Sequence, residues 1–250
     1  MPTAEARKNH DELFPGRVST LAVTDPELIE YFDNFAFDEI LQDSRLDGRT
    51  RLMIQLAAMI AGQAVAEYRV MLGAALTVGV TPVEAKEIVY QAVPYVGMAK
   101  VFDFLHATND VLTERGVELP LPGQSTTTLE NRYERGLAVQ KQIVGGDRVD
   151  ALHANAPADE QHIQRFLSAN CFGDHLTRTG IDVPHRELLT FAMLAALGGC
   201  ESQLAGHVAA NRNVGNDRAT LLDVLTQLIP YIGYPRTLNA LRVLGEVAPA

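Results

Sequence analysis

Cys200, Gln203 and His207 stand at i, i+3 and i+7, a spacing that places three side chains on one stripe of a helix. An imidazole titrates near neutrality and can both give and take a proton. A thiolate is the stronger nucleophile, but dithiol peroxide reduction needs a second sulfur to resolve the sulfenic acid. One turn beyond Cys200 the stripe offers the amide of Gln203 instead, and Cys171 is the other cysteine of the chain. Two cysteines make neither a zinc cage nor a disulfide framework. His106, His153, His162, His175 and His185 show no His-x-x-x-His spacing, so neither a metal nor a cofactor is expected. What remains is proton transfer at carbon: loss of CO₂ beside a carbonyl, or a double-bond shift, each needing a proton donor and a group to hold developing negative charge. Arg51 and Arg186 are candidates to grip a substrate carboxylate through paired hydrogen bonds.

Composition narrows the class. With 47% hydrophobic and 21% charged residues the chain has the balance of a globular protein. A net charge of −10 argues against nucleic acid, whose binders displace phosphate counterions with a basic surface, and against anionic membranes. The segment Met1 to Lys8 has no apolar run, so no secretory signal is expected. The apolar stretch from Leu52 to Ala66 is cut by Gln55 and Gln63 and is shorter than the ~18 residues of a bilayer span. The expectation is a soluble cytoplasmic protein with a small-molecule substrate.

The chain repeats itself. Residues 52–112 align without a gap on 188–248 at an offset of 136, placing Gly62 on Gly198, Ala74 on Ala210, Gln91 on Gln227 and Pro94-Tyr95-Val96-Gly97 on Pro230-Tyr231-Ile232-Gly233. A one-residue slip extends the match upstream, Phe37-Asp38-Glu39 onto Phe172-Gly173-Asp174. Between the halves lies Leu119-Pro120-Leu121-Pro122-Gly123-Gln124-Ser125-Thr126, a linker by composition. Two repeats are therefore expected, residues 1–122 and 123–250, sharing one backbone and related by a pseudo-two-fold axis.

Helical signals dominate both halves. Gly62 breaks a first apolar helix and Val78-Gly79 ends a second with glycine at the left-handed cap. Thr81-Pro82-Val83-Glu84 then supplies an N-cap, a proline at N1 and a glutamate at N3. That third helix is expected to stop at Pro94, with a last one from about Met98. No segment alternates with period two for long enough to make a strand. The fold class is all-α.

The glycine-broken helix pair, the stretch Ala74-Ala75-Leu76-Thr77-Val78-Gly79-Val80-Thr81 and the Pro-Tyr-x-Gly turn in each half together resemble the carboxymuconolactone decarboxylase-like domain, whose other branch is alkyl hydroperoxidase D. The resemblance implies an all-helical fold that assembles into homo-oligomers, a trimer for a two-repeat chain in preference to a dimer. Such a fold hosts several chemistries. The peroxidase branch carries Cys-x-x-Cys-x-x-x-His on the second helix, and this chain keeps Cys200 and His207 but has Gln203 between them. The decarboxylase branch has Glu-Leu-x-x-His, against which this chain reads Gln203-Leu204-Ala205-Gly206-His207.

The first half has Ala64, Glu67 and Met71 at the three positions. The resemblance thus implies one site in the second repeat: His207 as acid/base, Glu187 or Glu67 orienting it, and Cys200 as a further catalytic candidate. Gln203, Arg186, Arg51 and Glu67 are the candidate substrate-binding residues. Alternatives are a peroxide reductase or redox sensor using Cys200 alone, and a non-catalytic helical scaffold. Tyr95 and Tyr231, retained in both halves, are expected to serve folding.

Overall fold

The computed structural model describes residues 1–17 and 19–249, and every regular element among them is a helix. The first repeat runs through α1 (Ala4–Leu13), α2 (Leu21–Thr24), α3 (Pro26–Asn34), a π-helical turn (Phe35–Glu39), α4 (Ile40–Gln42), α5 (Gly48–Gly62), α6 (Val65–Thr77), α7 (Pro82–Val96) and α8 (Met98–Glu114). The second runs through α9 (Arg132–Val144), α10 (Gly146–Asn155), α11 (Gln161–Phe166), a second π-helical segment (Leu167–Leu176), α12 (Val183–Leu197), α13 (Glu201–Asn213) and α14 (Arg218–Val247). In this order α9 answers α1, α10 and α11 answer α2 and α3, and the two π-helical segments answer each other. The repeat therefore includes N-terminal helices that share too few residue identities to be matched by sequence.

Caps explain the boundaries. Asp47 and Asp182 cap α5 and α12 by accepting backbone N–H bonds. Thr81 and Glu84 close a capping box on α7, with Pro82 in the first turn. The expected stop at Pro94 is corrected: α7 continues to Val96 with Pro94 inside it, and Gly97 at φ 86° makes the break. In α14, too, Pro230 lies within the helix and Gly233, at φ 76°, breaks it. The residue that ends the third helix in each repeat is thus the glycine, because it alone enters the left-handed region without strain.

At the centre α5 lies along α12, and both are buried along most of their length. The third helices bridge the repeats: α7 packs on α5 of its own repeat and also on α12 and the second π-helical segment, while α14 packs on α12 and also on α5 and the first π-helical segment. Each repeat thus completes the other's core. Glu87 of α7 receives Arg178 Nη2 at 2.9 Å and Arg186 Nη2 at 2.9 Å. At the equivalent position of α14, Asp223 receives Arg45 at 3.1 Å. On the outer layer α9 rides directly on the second π-helical segment. A Cβ on Gly136 would lie 2.0 Å from the Ser168 carbonyl oxygen, so only glycine allows that approach. Among the described residues no helix is long and apolar enough to cross a membrane.

Candidate active site

Helices α12 and α13 bring two of the sequence-selected residues together. Glu187, in the second turn of α12, is fully buried, and its Oε2 lies 2.8 Å from Nδ1 of His207 in the second turn of α13. A carboxylate can only accept, so Nδ1 carries the proton and donates it. Nε2 then faces away from Glu187 without a protein partner among the described residues, on a ring that keeps 16% of its surface exposed. The pairing is held from behind by Asn211, whose amide donates to the carbonyls of Glu187 at 3.1 Å and His207 at 2.8 Å. Asn216 in turn donates to Asn211 Oδ1 at 2.8 Å. Imidazole orientation is thus fixed through both side chain and backbone.

The other repeat supplies one wall. Tyr95, at the end of α7, sets its ring edge-on to His207 with centroids 5.9 Å apart, a favoured aromatic geometry. It is the packing of α7 across the repeat boundary that delivers Tyr95 to the second repeat's histidine. Burial, with Cys171 and Glu187 close by, raises the Tyr95 pKa well above the ordinary phenol value, so the hydroxyl stays protonated. That hydroxyl and Oε1 of Glu187 are both buried and unpartnered. A leftover donor and a leftover acceptor beside a histidine are unusual in a packed interior and common where a polar group is handled. Arg148 of α10 lies over the residue of α13 that precedes His207: its Nη2 is 3.4 Å from where a Cβ on Gly206 would stand. Its guanidinium is exposed. Neither Tyr95 nor Arg148 falls in the helical stripe, so spacing could not find them; the sequence marked Tyr95 only by its retention, as Tyr231, in the other half.

The remaining candidates lie elsewhere. Cys200 is the N-cap of α13 rather than a residue within it, and Gly198 and Gly199 just before it both take positive φ. Its thiol points back to the Leu194 carbonyl at 3.5 Å and lines a small hollow with Arg236 and Asn239. Burial first, then Glu201, raises its pKa, opposite to the lowering expected at a helix start. Gln203 is exposed and accepts from Ser202 Oγ at 2.8 Å. Arg186 is 1% exposed, its Nη donors go to Glu87, Gln91 and the carbonyls of Arg178 and Thr179, and Nε is buried without a partner, so the guanidinium is closed off from solvent.

Arg51 occupies the position equivalent to Glu187, where burial lowers its pKa and Tyr231 is its neighbour. Glu67 lines a separate hollow with His10, Arg17 and Asp33, and burial raises its pKa. The pseudo-symmetric position in the first repeat therefore carries Arg51, Met71 and Tyr231 where the second has Glu187, His207 and Tyr95. No group of three or more His, Cys, Asp or Glu side chains is placed to hold a metal among the described residues.

The sequence profile of the Carboxymuconolactone decarboxylase family matches residues 26–110 and again 161–246. The two matches begin 135 residues apart and end 136 apart, the same slip seen in the internal alignment. A 4-carboxymuconolactone decarboxylase of Acinetobacter baylyi is 31% identical over 118 residues, covering 47% of this chain and 87% of that protein. One such protein thus corresponds in length to one repeat. With the fold doubled in tandem and the profile matched in both halves, this chain belongs to the carboxymuconolactone decarboxylase family.

Proposed function

We propose that this protein is a cofactor-independent decarboxylase, or an isomerase of the same proton-transfer type, acting on a small carboxylated or carbonyl substrate through His207. The observation that carries this reading is the His207–Glu187 pair, with one imidazole nitrogen fixed by a buried carboxylate and the other turned toward solvent. Decarboxylation breaks the bond to the carboxylate carbon heterolytically. CO₂ leaves, and the electron pair delocalises into the conjugated carbonyl. Nε2–H of the imidazolium then delivers a proton to carbon, and solvent restores it. A positioned acid of this kind contributes about 10²- to 10⁴-fold. Tyr95, whose ring lies against His207 and whose hydroxyl stays protonated, is a candidate neutral donor for the developing enolate, and Arg148 is suited to hold a second carboxylate.

The activity named for the Acinetobacter relative supports a carboxylated lactone as substrate. Raised pKa values at both thiols weigh against peroxide reduction. In this reading residues 1–122 form the repeat without the dyad and residues 123–250 the one that carries it. A homo-oligomer, trimer before dimer, suits the exposed apolar residues that recur at equivalent places, Met98 and Phe102 against Tyr234 and Leu238. The test is CO₂ release from 4-carboxymuconolactone and related carboxylated lactones and β-keto acids. Turnover of one of them, with Arg148→Ala raising KM several-fold, supports the reading. Inactivity on the whole panel rejects it.

A further inference from the structure

At the junction of the two repeats, on the outer face of α7, lies a cavity of about 350 Å³ that the His207 site does not include. Lys86 and Tyr90 of α7, Asn109 of α8, Arg178 and the Pro-rich linker from Leu119 to Gln124 line it. Its volume is that of a pocket for a small organic molecule. Its charge is unusual for a chain of net charge −10. Glu87 is the one acidic residue in the wall, and it is already held by Arg178 and Arg186. Lys86 is half-buried, and its side-chain bond goes to the neutral Oδ1 of Asn109. Burial without a compensating carboxylate disfavours the ammonium form of Lys86, a cost that an anion in the cavity would offset.

The donors converge. Arg178 gives Nε and Nη2 to Glu87 at 3.0 and 2.9 Å, leaving Nη1 uncommitted. Its guanidinium lies 5.1 Å from the Tyr90 ring centroid, and Lys86 Nζ lies 5.8 Å from the same centroid. Opposite these cations stands the linker, whose Leu119, Pro120, Leu121 and Pro122 give an apolar wall. The wall is pinned at Gln124, whose carbonyl accepts from Thr179 N at 3.0 Å. Gly180, at φ 92°, lets this strand of chain come close, since a Cβ there would lie 2.9 Å from Val83 Cγ1.

From this arrangement we infer that the inter-repeat cavity is a binding site for a small carboxylate with a flat apolar body, distinct from the His207 site. The carboxylate would take Lys86, Arg178 Nη1 and the Asn109 amide, and the body would lie between Tyr90 and the linker. The inference does not rest on the reaction assigned to His207.

Calorimetric titration of the full-length protein with benzoate at low salt, with benzamide as the neutral isostere, tests it. Expected are one saturable benzoate site per chain, no saturable binding of benzamide, at least tenfold weaker benzoate binding in both Lys86→Gln and Leu121→Asp, and unchanged binding in His207→Gln. The second variant places a repelling charge on the apolar wall without touching the cations. Equal affinity in Lys86→Gln and Leu121→Asp, loss of binding in His207→Gln, equal binding of benzamide, or no saturable binding would each overturn it.

Discussion

His207 and Glu187 came from different kinds of reading. The histidine stood out by its place in a helical stripe, whereas the glutamate stood out only through the family resemblance. The two meet at 2.8 Å because α12 and α13 pack side by side. Since Oε2 of Glu187 fixes the tautomer, Glu187→Gln should lower kcat about 10²-fold with little change in KM; steady-state rates across pH check this, and an unchanged kcat would remove Glu187 from the account. The thiols make a second residue-scale prediction. Burial pushes Cys171 up to about 12 and raises Cys200 above its ordinary value. Only the thiolate alkylates, so reactivity follows pH upward. Iodoacetamide at pH 8 should leave Cys171 unmodified in the folded protein. Cys200 should react more slowly than a free thiol, its rate still climbing past pH 9. Fast labelling of Cys200 at neutral pH would revive the single-thiol reading.

Elements were more legible than side-chain directions. The Thr81–Glu84 capping box and the helices from Arg51 to Leu112 follow from local rules that operate within one turn. The stripe assumed a helix that runs through Cys200, whereas Cys200 is the N-cap of α13 and its thiol turns back to the Leu194 carbonyl. Arg186 was misread for a related reason. Its position opening α12 suggested a cation free to grip a substrate carboxylate, yet the packing of α7 on α12 buries it against Glu87 and Gln91. Removing one member of a buried charge network is costly even when another cation remains. Arg186→Met should therefore destabilise the protein by about 3 kcal/mol in urea unfolding, and a loss under ~0.5 kcal/mol, the scale of an ordinary surface change, would contradict this placement.

At the scale of the molecule, a gap-free offset of 136 was sufficient to show two copies of one backbone, but not that each third helix also packs across the repeat boundary. That packing sets Tyr95 of the first repeat beside His207 of the second, and no pattern within one repeat encodes it. It also leaves the first repeat with Arg51 and Met71 at the mirrored positions, so duplication yields one dyad per chain. The exposed pairs Met98 and Phe102, Tyr234 and Leu238 belong to this scale as well. Phe102→Glu combined with Leu238→Glu should shift sedimentation toward a smaller species, and an unchanged profile would place the interface elsewhere. The most direct test of the account joins turnover to folding in one variant, His207→Gln. On whichever carboxylated substrate the protein turns over, kcat/KM should fall by about 10²- to 10⁴-fold while the thermal midpoint stays within a few degrees of the parent. Turnover at the parent's rate in a folded His207→Gln protein would contradict it.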